Sequence, residues 1–174
     1  MRGFADLREV IVVLNVFISY SWSNSIERDA LISGLSNNNA IKLLVDKNYV
    51  KYGDSIHERI SRMIDDAHCI VVLLTKNGAK SVEVREELAR CHERGKKIIP
   101  IVSEGTDLSF LPSHLRDTNY IEYKADKFDL VINELKIALN ELATSLQNDI
   151  ENEANPTKIN LNDYFISSER ICFF

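Results

Sequence analysis

The sequence predicts a three-layer α/β fold: a parallel five-stranded sheet with helices on both faces. Three observations carry this. Short runs rich in Val, Ile and Leu alternate with amphipathic stretches of helical period along residues 15–146. The run at residues 68–75 is apolar on both of its faces, as a strand covered by helices on either side must be. Capping residues and helix stop signals fall where the periodic stretches begin and end.

The elements follow in order. Residues 15–20 form the first strand. Asn24 and Glu27 have capping-box spacing and open a helix to about Leu35, which Asn37, Asn38 and Asn39 end because Asn tolerates the left-handed turn. Residues 41–45 form a second buried strand, and a polar loop, residues 46–53, follows it. Ser55 and Glu58 make another capping box. Ile56, Ile60, Met63, Ile64 and Ala67 then line one helical face. The third strand is residues 68–75, and Ser81 caps a helix that stops at Gly95. A fourth strand, residues 96–102, contains Pro100; proline donates nothing to a ladder, so this strand is expected near an edge or distorted there. Residues 120–123 form the fifth strand and residues 126–146 a final helix with Phe128, Val131, Ile132, Leu135, Leu139 and Leu142 on one side. Right-handed crossovers and five strands favour the flavodoxin-like order 2-1-3-4-5.

The chain thus divides into an N-terminal extension (residues 1–14), one domain (15–147) and a C-terminal extension (148–174), a polar linker followed by an aromatic tail that includes Tyr164, Phe165, Phe173 and Phe174. A length of 174 residues, 45% of them hydrophobic, suits a single domain with its own core. The net charge of −5 gives no basic footprint, so nucleic acid is not an expected partner. No apolar run approaches the roughly 20 residues needed to cross a bilayer, so no membrane is expected either. Three cysteines without close spacing predict neither a disulfide framework nor a zinc site, and the expected compartment is a reducing cytoplasm. The four histidines have no metal-ligand spacing, and the glycines form no dinucleotide fingerprint, P-loop or nucleophile elbow.

In a sheet of this order, ligands bind at the carboxyl ends of the strands where the order reverses, between strands one and three. The segments facing that crevice hold aromatic faces (Tyr20, Trp22), hydroxyls (Ser19, Ser21, Ser81), cations (Lys47, Lys51) and carboxylates (Asp46, Glu83, Glu87). Glu83 and Glu87 stand four apart on one helical face, where like charges cost roughly 0.2–0.5 kcal/mol. Two readings fit: a solvated acidic face paired with Arg90, or a Glu87 carboxylate turned over the crevice toward a ligand. Trp22 and Tyr20 suit either partly buried anchors or stacking surfaces. Cys69 reads as strand core and Cys91 as helix packing.

These residues resemble a family. Val16-Phe17-Ile18-Ser19-Tyr20-Ser21 is similar to the first box of Toll/interleukin-1 receptor (TIR) domains. Asp46 followed by Tyr52-Gly53-Asp54-Ser55-Ile56 resembles the second box, the BB loop. Residues 70–75 resemble the third strand and Lys97-Ile98-Ile99-Pro100-Ile101 the fourth. The stretch from Ser81 to Leu88 resembles the S-x-W-C/V-x-x-E-L pattern that opens the third helix, with Glu83 in place of its tryptophan. The likeness covers residues 15–143 and is nearest to bacterial TIR proteins.

The resemblance implies the TIR fold and cleavage of NAD⁺ at the nicotinamide–ribose bond, with NAD⁺ as substrate and no separate cofactor. It places the catalytic glutamate on Glu87 and substrate contacts on Ser19, Tyr20, Ser21, Trp22, Asp46, Lys51, Ser81 and Glu83; Trp22 or Tyr20 would replace the missing tryptophan in stacking. It also implies self-association through TIR surfaces, and a Thoeris-like role in phage defence in which an ADP-ribose-derived signal reaches a separate effector protein. A non-catalytic TIR–TIR interaction module is the alternative. A phosphoacceptor receiver is disfavoured because Ser19-Tyr20-Ser21 stands where its aspartates belong; a nucleoside deoxyribosyltransferase would use a carboxylate on a similar sheet.

Overall fold

Aliphatic and β-branched residues gather into five strands, β1 (Leu14–Tyr20), β2 (Ile41–Val45), β3 (Cys69–Leu74), β4 (Lys97–Ser103) and β5 (Ile121–Tyr123). A computed structural model describes residues 12–21, 24–45, 55–76 and 78–154. The strands pair in parallel, as the alternation of elements predicts, in the order β2-β1-β3-β4-β5 expected by analogy with flavodoxin-like sheets. The helices are α1 (Ser25–Leu35), α2 (Ile56–Asp66), α3 (Val82–Glu93), the short α4 (Ser113–Arg116) and α5 (Phe128–Ala154).

Strand alternation divides the core into two layers. Val16 and Ile18 of β1 face α1 and α5 and pack with Leu31, Leu35, Leu135 and Leu139. Phe17, between them, faces α2 with Ile60 and Ile64. Farther along the same face, Val72 and Leu74 meet Val84 and Leu88 of α3. Gly34 explains itself by the approach of α1 to α5, since a Cβ there would lie 2.6 Å from Ile132 Cγ2.

Two local expectations change, and the one at Pro100 holds. Asn24 precedes α1 but makes no capping bond; its side chain is drawn to Thr75 instead. Pro100 lies in β4, an interior strand, yet β5 pairs only with Ile101, Val102 and Ser103, so at Pro100 one flank of β4 has no neighbouring strand. The last helix runs eight residues past Leu146 into the segment expected to be a linker. That stretch has no Gly or Pro before Pro156, and Gln147 Nε2 donates to Glu151 Oε1 one turn on, at 2.8 Å. The aromatic tail and most of the N-terminal extension lie outside the described residues. No helix among the described residues is long and apolar enough to cross a membrane.

Candidate active site

Ser19, two residues after Phe17, points to the same layer near the carboxyl end of β1. It is only 2% exposed. Its Oγ donates to Glu87 Oε2 at 2.8 Å, tying the end of β1 to the second turn of α3. The start of α3 is fixed by Ser81, whose Oγ accepts from the Val84 amide at 3.4 Å. From that start, Val84, Leu88 and Cys91 form the buried stripe against the sheet. Glu87 falls on the flank of that stripe, toward α2.

The seam between α2 and α3 is built from arginines. Arg94 Nη2 donates to Ser61 Oγ at 2.7 Å, and its Nε sits 2.6 Å from Asp65 Oδ1. One turn nearer the site, Arg90 Nη1 lies 3.4 Å from His57 Nδ1. Arginine has only donors, so His57 Nδ1 is the acceptor in that contact. Glu87 stands at the head of this row.

Burial pushes the Glu87 carboxyl above the usual carboxylate range. The Ser19 hydroxyl and the Arg90 charge favour its ionised form, while Glu83 opposes it; burial prevails. Glu83, four residues earlier, is exposed and accepts from Ser81 Oγ at 2.6 Å, a bond that holds its carboxyl below the usual range. The two carboxylates therefore differ in kind. Glu83 is solvated and readily ionised, whereas Glu87 is held in a partly desolvated pocket by a buried hydroxyl, which is where perturbed acids that do chemistry are found. The buried thiols of Cys69 and Cys91 are pushed up to about 12, mainly by burial, and serve as core packing.

Of the residues expected here, the structure joins Ser19 to Glu87 and Ser81 to Glu83. Tyr20 goes elsewhere. Strand alternation turns it to the α1 layer, where Arg28 lies 5.1 Å from its ring centroid and Arg28 Nη1 3.4 Å from its hydroxyl. The Ser21 carbonyl accepts from the Asn24 amide at 2.9 Å and closes the turn after β1. Trp22, Asp46 and Lys51, like Lys47 and the BB-loop residues Tyr52 and Gly53, lie outside the described residues. His57 was not anticipated: it stands in the first turn of α2, and nothing local in the sequence places that turn beside Glu87. Arg90 was visible as a partner three residues from Glu87, but as a surface pair rather than as a side chain whose Nε is buried.

The sequence profile of the TIR domain matches residues 16–136. Among curated proteins, none matches the chain in sequence. In structure it is similar to the TIR domain of the Toll-related receptor TRR-2 from Hydra magnipapillata, with 18% identity over 71% of this chain and 94% of that one and a TM-score of 0.57. A TIR-STING receptor from C. gigas, solved with 2′,3′-cGAMP, matches with 17% identity over 70% of this chain at a TM-score of 0.57; the match spans only 39% of that receptor's chain. A separate match, to the TIR domains of the activated Roq1 resistosome, covers 52% of this chain and 58% of that one, with 25% identity and a TM-score of 0.46. The CMP N-glycosidase BcmB of Clostridium botulinum matches with 18% identity over 71% of this chain and 98% of that one, at a TM-score of 0.53. At these identities the structural neighbours speak to the fold, and the profile to the family. With the profile spanning β1 to α5 and the sheet order it requires in place, the chain belongs to the TIR-domain family.

Proposed function

We propose that this TIR domain cleaves the nicotinamide–ribose bond of NAD⁺ and releases ADP-ribose or a cyclic or otherwise modified form of it. The observation that supports this reading is Glu87, a partly buried carboxylate held by Ser19 at the carboxyl edge of the sheet. Nicotinamide in NAD⁺ is already cationic, so the C1′–N bond breaks with its electron pair leaving on neutral nicotinamide, and no strong general acid is needed. Positive charge develops on the ribose as an oxocarbenium-like state. An ionised Glu87 stabilises that charge and can hold the ribose hydroxyls. Water, or a nucleophile within the ADP-ribose itself, then attacks C1′ and gives up its proton. The same reading casts the protein as a Thoeris-type maker of a nucleotide signal in bacterial phage defence, acting in the cytoplasm through a separate effector and active as a self-assembled TIR array.

The C. botulinum neighbour, named for cleaving an N-glycosidic bond of CMP, adds a second substrate to the test. Purified protein is incubated with NAD⁺ and, separately, with CMP, and products are resolved by chromatography and mass spectrometry. Nicotinamide release supports the proposal. Cytosine release alone makes the protein a nucleotide N-glycosidase. No cleavage at high protein concentration favours the interaction module, the reading to which the exposed Glu83 at the family's tryptophan position lends weight.

In this mechanism Ser19 is a positioning residue, since it is too buried to meet substrate and acts through Glu87. Ser19→Ala removes a hydrogen bond to the ionised carboxylate. The acid limb of the pH profile of kcat/KM should move to higher pH, and turnover at neutral pH should fall about tenfold, the scale of one bond to a charged group. An unmoved acid limb would show that the hydroxyl does not govern Glu87.

A further inference from the structure

A cleft of ≈ 330 Å³ opens at the carboxyl edge of β3, β4 and β5, on the sheet face opposite Glu87. Asn24, Glu27, Thr75, Lys76, Ser103, Glu104 and Tyr123 are among the residues that line it. Asn24 is the informative member. It is only 6% exposed and stands at the N-cap of α1, yet its side chain does no capping. The Gly78 amide donates to Thr75 Oγ1 at 3.2 Å, and the Thr75 hydroxyl in turn donates to Asn24 Oδ1 at 3.1 Å. This chain fixes the carboxamide: oxygen toward Thr75, NH₂ away from it. Among the described residues no hydrogen bond from that NH₂ is found, and it is not one of their buried atoms left without a partner. Gly78 is part of the construction, because a Cβ there would come within 3.3 Å of Thr75 Oγ1.

Opposite charges complete the cleft. Glu27 lies one helical turn from Asn24, and its charge, after burial, pushes the Tyr123 hydroxyl up, while a bond with Ser103 works the other way. Glu104 also lines the cleft, with Lys124 Nζ 2.8 Å from it; outside that exposed ion pair the lining carries one charge of each sign, Glu27 and Lys76. A ligand of either net charge meets one repulsion there, and a neutral polyhydroxyl ligand meets none. A carboxamide donor and a carboxylate acceptor one turn apart match vicinal hydroxyls, one accepting from the amide and both donating to the carboxylate. The volume lies at the lower end of small-molecule sites.

We propose that this second cleft binds the cis-diol of a ribosyl ligand, of nucleoside size, through Asn24 and Glu27. It stands whether or not Glu87 cleaves NAD⁺. The test is calorimetric or ligand-observed NMR titration of the full chain with adenosine and with 2′-deoxyadenosine, in wild type, Glu27→Gln and Glu87→Gln. Adenosine is expected to lose at least about tenfold in affinity in Glu27→Gln and less than that in Glu87→Gln, and 2′-deoxyadenosine to bind wild type as weakly as adenosine binds Glu27→Gln. Circular dichroism of Glu27→Gln confirms that the variant folds. Binding lost in Glu87→Gln but kept in Glu27→Gln would place adenosine at the other face and overturn the proposal. So would equal affinity for the deoxynucleoside, or no adenosine binding at millimolar concentration. Glycine, a zwitterion that also meets both charges, is the last arm; if it binds and adenosine does not, the diol assignment is wrong.

Discussion

Replacing Glu87 with Gln should lower NAD⁺ turnover at least about 10²-fold, the scale of losing one electrostatic contact to the transition state. The same substitution should make the protein more stable at neutral pH. Gln keeps an oxygen to accept from Ser19 and removes only the charge. Burial holds the folded-state carboxyl above its ordinary value. Between the unfolded value, about 4.3, and that higher folded one, the folded protein binds more protons than the unfolded chain. Wild-type stability therefore falls as pH rises through this window and stays lower above it. Glu87→Gln escapes that loss, so its Tm should exceed wild type near neutrality, with the two converging below the ordinary carboxylate range. Turnover assays and thermal melts across pH check both halves. Near wild-type turnover would sink the catalytic role, and a lower Tm at neutral pH would contradict the desolvation of Glu87. A gain in stability with a loss of activity is what a charge kept for chemistry produces.

The alternation of strands and helices was legible because each βα unit carries its own periodic signal, while the strand order came by analogy with flavodoxin-like sheets. Once β3 reads apolar on both faces, parallel pairing with right-handed crossovers leaves few arrangements. What the sequence hid are competitions between partners. Asn24 and Glu27 have capping-box spacing, but Thr75, 51 residues away, wins the Asn24 side chain. Residues 148–154 look like polar linker by composition, yet Glu151, Glu153 and Ala154 are good helix formers and no Gly or Pro stands before Pro156. The site shows the same division. The spacing of Glu83 and Glu87 drew attention to that helix face, and the TIR resemblance put the catalytic role on Glu87. Period-two alternation gives the face of Ser19 and Tyr20 and separates them, but it gives no depth, so Ser19 was expected to touch substrate when it lies beneath Glu87. His57 and the opposite cleft were out of reach, since each depends on how distant segments meet around the sheet.

Leu88→Ala carries the largest expected effect on stability and separates the seating of α3 from its chemistry. Leu88 has no exposed surface and packs with Val72, Leu74, Val84, Val102, Leu111 and Leu115. Truncating a leucine in such a place costs about 2–5 kcal/mol, because the cavity collapses only in part. In a chain of this length that lowers Tm by roughly 5–15 °C. Leu139→Ala is the matched control. Leu139 is equally buried but lies in the α5 layer, across the sheet from Glu87. Both variants should lose stability on this scale in denaturant titrations. Well below their melting temperatures they should part. Leu88 adjoins Glu87 on α3, so loosening it moves the carboxylate relative to Ser19, and a displacement of about 1 Å at a reacting group costs on the order of 10²-fold. Leu88→Ala should therefore lose turnover at temperatures where it is fully folded, chiefly in kcat, while Leu139→Ala keeps it. Should both variants keep full turnover when folded, α3 would be seated well enough by Ser19, Ser81 and the arginine seam with α2, and Leu88 would matter to the fold alone.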